Sequence, residues 1–425
     1  MSSIPPPSQR LDYLDGVRSF ALLLGVVFHA SMSFVPFFIG WAVMDISTSS
    51  IVSGFIMVSH SFRMELFFLI AGFLSHMTFH RKGAKSFISS RFFRIAIPFV
   101  VGWFVLRPLV VASWIMGGES VRGEVRILNA FKLGFQSLSE LPAGILTGSH
   151  LWFLYYLLLI TTIVLAVRSV AGRIPGVNSV LKNKTDQIVA GIVNSRFSWI
   201  ILALPTAVCL WNMSIWGMDT PDKSLMPHWP VLITYGGLFL FGWILHRSKG
   251  LLEKFSQLSL GRVAVCVISI CATLMLTRYQ SNPGHPQFKL MHIGFSFTYA
   301  MMMWSLVSQS IGLFKRYFDK PGAVVRYIAD ASYWIYLVHL PIVVWLQIAF
   351  AELEFHWSLK LISISVITVG ISIVMYDLFV RSTWIGKILN GGKRERVLFN
   401  AFKQISSPNK DQQLSELANS SPLTK

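Results

Sequence analysis

The sequence predicts an all-α polytopic membrane protein, a single bundle of about ten transmembrane helices, and three observations carry that prediction. The chain is 53% hydrophobic and only 13% charged, with a mean hydropathy of +0.58, whereas soluble domains are about 25% charged. Apolar runs of about 20 residues, the length that crosses a bilayer, recur along all 425 residues. Lysine and arginine alternate between rich and poor connections, as they do where positive loops hold a membrane protein's orientation.

Residues 1–13, with the proline-rich SSIPPPSQR, are expected to form an N-terminal cytoplasmic tail. Ten spans follow, at 14–38, 51–79, 93–116, 149–171, 197–216, 230–246, 261–278, 289–312, 324–350 and 358–380. The first reads as a retained helix, being too long for the apolar core of a secretory leader, with Asp12 and Asp15 in its approach, and without an A-x-A cleavage site. Residues 14–380 therefore make one membrane domain, and 381–425 a basic cytoplasmic tail that is partly disordered. On this layout 28 of the 37 Lys and Arg fall on one side and seven on the other, with Arg63 and Arg107 inside spans. Both termini are thus predicted to face the cytoplasm.

The net charge of +18 has its source in these loops and does not call for nucleic acid. Cys209, Cys266 and Cys271 lie in apolar runs at no metal-ligand spacing; they read as buried small hydrophobes, and no metal site is expected.

Ionisable side chains inside hydrocarbon are costly, so each is a functional candidate. Arg18 and His29 stand eleven positions apart in the first span, about three helical turns plus ~20°, which puts them on one face roughly 16 Å apart. Counting from the cytoplasmic side, His29 lies roughly 22 Å deep and His339 of the ninth span roughly 20 Å deep, so the two are able to face each other. A neutral imidazole held in a low-dielectric site can take a proton from a hydroxyl, which makes His29 the candidate base and His339 its candidate companion. The group orienting the His29 ring is left open between a carboxylate, a carbonyl and a serine.

In the second span His60 and Arg63 are three apart on one face, with Glu65 away from it. They are candidate substrate-binding residues; the structural alternative is an ion pair of Arg63 and Glu65 locking two helices. His150 and Trp152, at the outer mouth of the fourth span, suit the apolar faces of a sugar or belong to an interfacial aromatic belt. Arg91 and Arg94 start the third span three residues apart, and two arginine forks so placed can hold phosphate; positive-inside anchoring is the plainer reading. With Arg18 they would form a three-arginine site for the phosphates of coenzyme A, leaving its thioester near His29.

The motifs carry a family resemblance. Arg18 and His29 in an R-x10-H pattern, Arg91-Phe92-Phe93-Arg94 in an R-x-x-R pattern, MELFFLIAGFL and YWIYLVHLP together resemble the acyltransferase-3 membrane acyltransferases. The family's common Val-Asp pair is Met64-Glu65 here, a departure from its pattern. The resemblance implies ten helices in the bacterial inner membrane, an acyl-CoA co-substrate (succinyl-CoA for the likeness seen here) on the cytoplasmic side, no permanently bound cofactor and a periplasmic glucan acceptor. It implies roles for Arg18, His29, Arg91, Arg94 and His339. Arg63 or Arg107 would suit the distal carboxylate of a succinyl group. The competing class is a secondary transporter or flippase binding a polar or anionic solute through His60, Arg63 and Glu65; the absence of half-to-half symmetry counts against inverted repeats.

Overall fold

A computed structural model describes residues 12–139, 149–248, 250–319 and 322–398. Of the expected tails at 1–13 and 381–425, residues 1–11 and 399–425 lie outside the described residues. Among the described residues there is no strand, and the helices are α1 (Asp12–Ser31), α2 (Ser50–Arg91), α3 (Ile97–Ser120), α4 (Ile127–Gln136), α5 (Trp152–Arg173), α6 (Val177–Asn194) and α7 (Ser198–Trp211). They continue as α8 (Trp229–Arg247), α9 (Leu251–Phe255), α10 (Leu260–Leu276), α11 (Phe288–Tyr317), α12 (Ala323–Phe350), α13 (Trp357–Met375) and α14 (Trp384–Asn390).

Eight helical segments among these residues are long and apolar enough to cross a membrane, and a ninth arises if α6 and α7, bent by 115° at their junction, count as one. One of the eight is the 71-residue stretch Ser50–Ser120, far longer than the ~20 residues a bilayer needs. It holds two of the expected spans. Gly83 breaks it with φ +78°, a backbone region that glycine enters without penalty. The break reverses the chain, because Arg91 Nη2 donates to Ser75 Oγ at 2.6 Å across sixteen residues that would cover about 24 Å in a straight helix. Nine of the ten expected spans coincide with these eight segments, and the fifth falls on α7.

Two boundaries differ from expectation. The first span was expected to run to residue 38, but α1 ends at Ser31 and a 3-10 turn, Met32–Phe34, closes it. Pro36 is the reason: its ring disfavours helical backbone at the preceding residue, and Val35 is extended at φ −72°, ψ 135°. The fifth span shortens to the 14 residues of α7, after which 212–228 folds back over the bundle, Met218 N–H donating to Tyr299 Oη at 3.3 Å.

The core is built where backbones approach closely. A Cβ on Gly72 of α2 would fall 1.9 Å from the Phe239 carbonyl oxygen, and one on Gly242 of α8 would fall 1.9 Å from that of Leu69. Only glycine fits this seam, the usual device of packed membrane helices. Outward-facing Val101, Phe104, Val105, Ile268 and Val366 are exposed, the apolar surface that lipid covers. Cys266 is buried, Cys209 half-buried and Cys271 exposed, so the expectation of three buried thiols holds fully for one.

A buried ion pair unforeseen in the sequence ties the α1–α2 connection to α13: Lys360 Nζ donates to Asp45 Oδ1 at 2.7 Å with both side chains at most 1% exposed. Burial pushes the Asp45 carboxyl upward, and the Lys360 ammonium opposes it.

Candidate active site

His29 occupies the last turn of α1, where the helix has run out of internal donors for its carbonyls. Gln347 of α12 supplies them: its Nε2 donates to the His29 and Ala30 carbonyls at 2.9 and 3.0 Å. Its Oε1 accepts from Trp41 Nε1 at 2.9 Å, and the Trp41 ring stacks on the His29 imidazole at 5.7 Å. One amide thus fixes the helix end and the aromatic ring beside the base. Neither Trp41 nor Gln347 was foreseen; a glutamine two turns beyond His339 inside an apolar span was the available signal.

His339 meets the His29 ring edge to edge, with centroids 5.1 Å apart and planes 12° from parallel. The hydrogen bonds set the tautomers. His339 Nδ1 lies 2.7 Å from the Tyr336 carbonyl, which can only accept, so Nδ1 donates and the lone pair of the neutral ring is on Nε2. That Nε2 is 2.9 Å from His29 Nδ1 and accepts its proton. The lone pair of His29 is therefore on Nε2, the arrangement of a general base. The group left open in the sequence is His339, itself set by a carbonyl.

His150 belongs to the same cluster. Pro341 lacks an N–H, so the Leu337 carbonyl four residues earlier has no helical donor, and His150 Nε2 donates to it at 3.0 Å. Tyr336 Oη donates to the His150 carbonyl at 2.8 Å. Nδ1 of His150 is then a buried acceptor with no hydrogen-bond partner, and its ring meets His339 edge-on at 5.7 Å. The preceding Ser149 has φ +46°, an uncommon conformation for a residue with a side chain, and its N–H donates to the Asp222 carbonyl at 2.9 Å. His150 and Trp152 stand at the entry to α5 and are both buried, so neither side chain is exposed as an interfacial aromatic belt would have it. Trp152 stacks on Tyr235 at 5.7 Å because α5 enters the bundle against α8.

His60 and Arg63 do share a face, and it meets α1. The Arg63 guanidinium carbon lies 4.2 Å from the Phe28 ring centroid; the His60 ring lies 5.6 Å from the same ring, and its Nε2 is 2.9 Å from Thr220 Oγ1. Glu65 is fully buried, and neither of its carboxylate oxygens has a hydrogen-bond partner. The helix-locking ion pair of Arg63 and Glu65 is not formed among the described residues.

The three arginines of the opposite end come together closely enough for the charge of Arg18 to act on Arg91 and Arg94. Arg18 is half-exposed, its Nη1 3.4 Å from Asp15 Oδ1. Arg91 lies over Phe87 while it donates to Ser75. Arg94 packs against Gly391, whose φ is +81°, and its carbonyl accepts from Tyr333 Oη at 2.7 Å. Arg394 pairs with Asp330, so the segment after α14 folds onto this end.

The helical membrane bundle thus carries paired histidines at one end of α1 and clustered arginines at the other. Residues 11–377 match the acyltransferase-3 family, described as "Acyltransferase domain", and the chain belongs to it; it is a membrane acyltransferase. It is similar to glucans biosynthesis protein C of Escherichia coli K12, at 26% identity over 92% of this chain and 96% of that protein. The same protein of Shigella dysenteriae serotype 1 is 26% identical over the same shares. No solved structure matches the chain.

Proposed function

We propose that the protein moves a succinyl group from succinyl-CoA in the cytoplasm to a hydroxyl of a periplasmic glucan, in the bacterial inner membrane and with both termini cytoplasmic. The single observation that carries the reading is the ordered chain Tyr336 carbonyl–His339–His29, which leaves a lone pair on His29 Nε2 about 16 Å from the arginine cluster. The named relatives are glucan-biosynthesis proteins, which supports a glucan as acceptor. The alternation of positive loops supports the orientation.

In this reading Arg18, Arg91 and Arg94 hold the phosphates of the donor, and the pantetheine arm lies along α1 toward His29. The acceptor hydroxyl gives its proton to His29 Nε2 as its oxygen bonds to the thioester carbonyl carbon. The C–S bond then breaks, and the departing sulfur takes the proton back from Nε2. His339 accepts from His29 Nδ1 throughout, which stabilises the transient imidazolium. His150 Nδ1, an unpartnered acceptor beside this pair, is suited to a second hydroxyl of the sugar.

The test is label transfer in reconstituted vesicles. Radiolabel passing from succinyl-CoA on one face to glucan on the other supports the enzyme. Solute flux without any acyl donor, and no labelled glucan, would establish a carrier instead.

A further inference from the structure

Two arginines, Arg63 and Arg107, lie buried inside spans, and unlike Lys360 neither has a carboxylate hydrogen-bonded to it among the described residues. Arg107 rests on Trp103 of its own helix, its guanidinium carbon 4.7 Å from that ring. Arg63 reaches from α2 onto α1, over Phe28 and beside Gly25, where an added Cβ would lie 3.5 Å from Arg63 Nη1. Gly25 and Phe28 precede His29 by four residues and one, so the guanidinium lies within about one helical turn, ~6 Å along the axis, of the base.

Arg63 is 6% exposed, and its Nε and Nη1 have no hydrogen-bond partner. Glu65, two residues on and ~200° round the helix, is near enough for its charge to act on Arg63 but accepts no hydrogen bond from it. A desolvated guanidinium whose donors go unmet is costly; here one face is covered by Phe28 while donors stay unoccupied next to the reacting centre. That is a place built for an anion brought in with the substrate.

We infer that Arg63 selects the acyl group, binding the free carboxylate of a dicarboxylic acyl chain whose thioester carbonyl lies at His29. The inference rests on the acyl-transfer reading above. The two carbonyl carbons of a four-carbon diacid are roughly 4 Å apart, commensurate with one helical turn. The carboxylate takes no part in bond making or breaking; it sets which donor is held in register. A neutral acetyl group has nothing to offer Arg63 and leaves it unpaired, which is the source of discrimination. The other anion of the reaction, the oxyanion of the tetrahedral intermediate, forms with every donor and gives no such discrimination.

The experiment compares succinyl-CoA and acetyl-CoA as donors for the full chain in vesicles, with Arg63→Gln and Arg63→Lys beside the wild type. Arg63→Gln is expected to lower kcat/KM for succinyl-CoA about 10- to 100-fold relative to acetyl-CoA, the worth of a charge-assisted bidentate pair. Arg63→Lys keeps the charge but not the fork, and is expected to fall between. Equal losses with both donors would assign Arg63 to the oxyanion and overturn the inference; an unchanged donor preference overturns it too. If Arg63→Gln fails to reach the membrane, Arg63→Lys decides by the same ratio. A wild type that transfers from neither donor defeats the acyl-transfer reading itself, before any variant is compared.

Discussion

The hydrogen bond that fixes His150 exists because of Pro341. With no N–H at position 341, the Leu337 carbonyl is left for His150 Nε2, 3.0 Å away, and the imidazole is held edge-on to His339. A helix-weakening residue thus creates an acceptor inside an apolar span.

Pro341→Ala restores the missing N–H, which competes with His150 for that carbonyl. A proline in a helix interior costs about 3 kcal/mol, so the variant is expected to be at least as heat-stable as the wild type. Acyl transfer is nevertheless expected to fall about tenfold, as His150 loses its anchor. Thermal unfolding measured alongside turnover checks both halves, and a stable variant with full activity would detach His150 from the reaction.

His339→Ala removes the acceptor for His29 Nδ1 while leaving the base in place. The expected result is a kcat lower by about 10²-fold, at the low end of what a positioned base contributes, with the donor KM unchanged. A change confined to KM would place His339 in donor binding instead.

Arg18 is half-exposed and pairs with Asp15 of its own helix, so its removal leaves the fold intact. Arg18→Ala is expected to raise the KM for acyl-CoA about tenfold, one charge-assisted contact's worth, with kcat preserved. Steady-state kinetics with acyl-CoA and with an acyl-pantetheine lacking the nucleotide check this. The truncated donor should be indifferent to the substitution.

Lys360→Met leaves the buried Asp45 carboxylate without its ammonium, and breaking such a pair costs about 3–5 kcal/mol. Burial already pushes the Asp45 carboxyl upward, and without Lys360 the Ser47 N–H, 2.8 Å from Oδ1, is left to oppose that shift. A carboxyl whose folded-state pKa is raised contributes stability that is present at low pH and lost as pH rises through that value. The variant is therefore expected to be most stable in acid and to weaken toward neutrality, as thermal unfolding across pH reads directly. Asp45→Asn combined with Lys360→Met should restore a flat profile.

Much of this was legible in the sequence, for physical reasons. The R-x10-H spacing fixes a face and a length on any helix, and Arg91 with Arg94 marks the end that Arg18 occupies. His60 and Arg63 share a face through the i,i+3 rule alone. What was hidden depends on the path of the chain in space. Pro36 ended α1 sooner than its apolar run, so His29 sits at a helix terminus where Gln347 can cap it. Lys360 is one of the seven Lys and Arg counted on the outer side, and nothing in its sequence neighbourhood shows that Asp45 draws it into a buried pair. The burial of His150 and Trp152 follows from the turn at Ser149 and the α5–α8 packing, neither of which has a periodic signature.

The central claim is that His29 Nε2 is the base. It is tested most directly by single-turnover acyl transfer with His29→Ala in vesicles, with donor binding measured on the same preparation. The account predicts transfer slowed by 10²- to 10⁴-fold, the contribution of a positioned general base, with acyl-CoA still bound. Transfer within twofold of the wild type by a variant equally abundant in the membrane would contradict it.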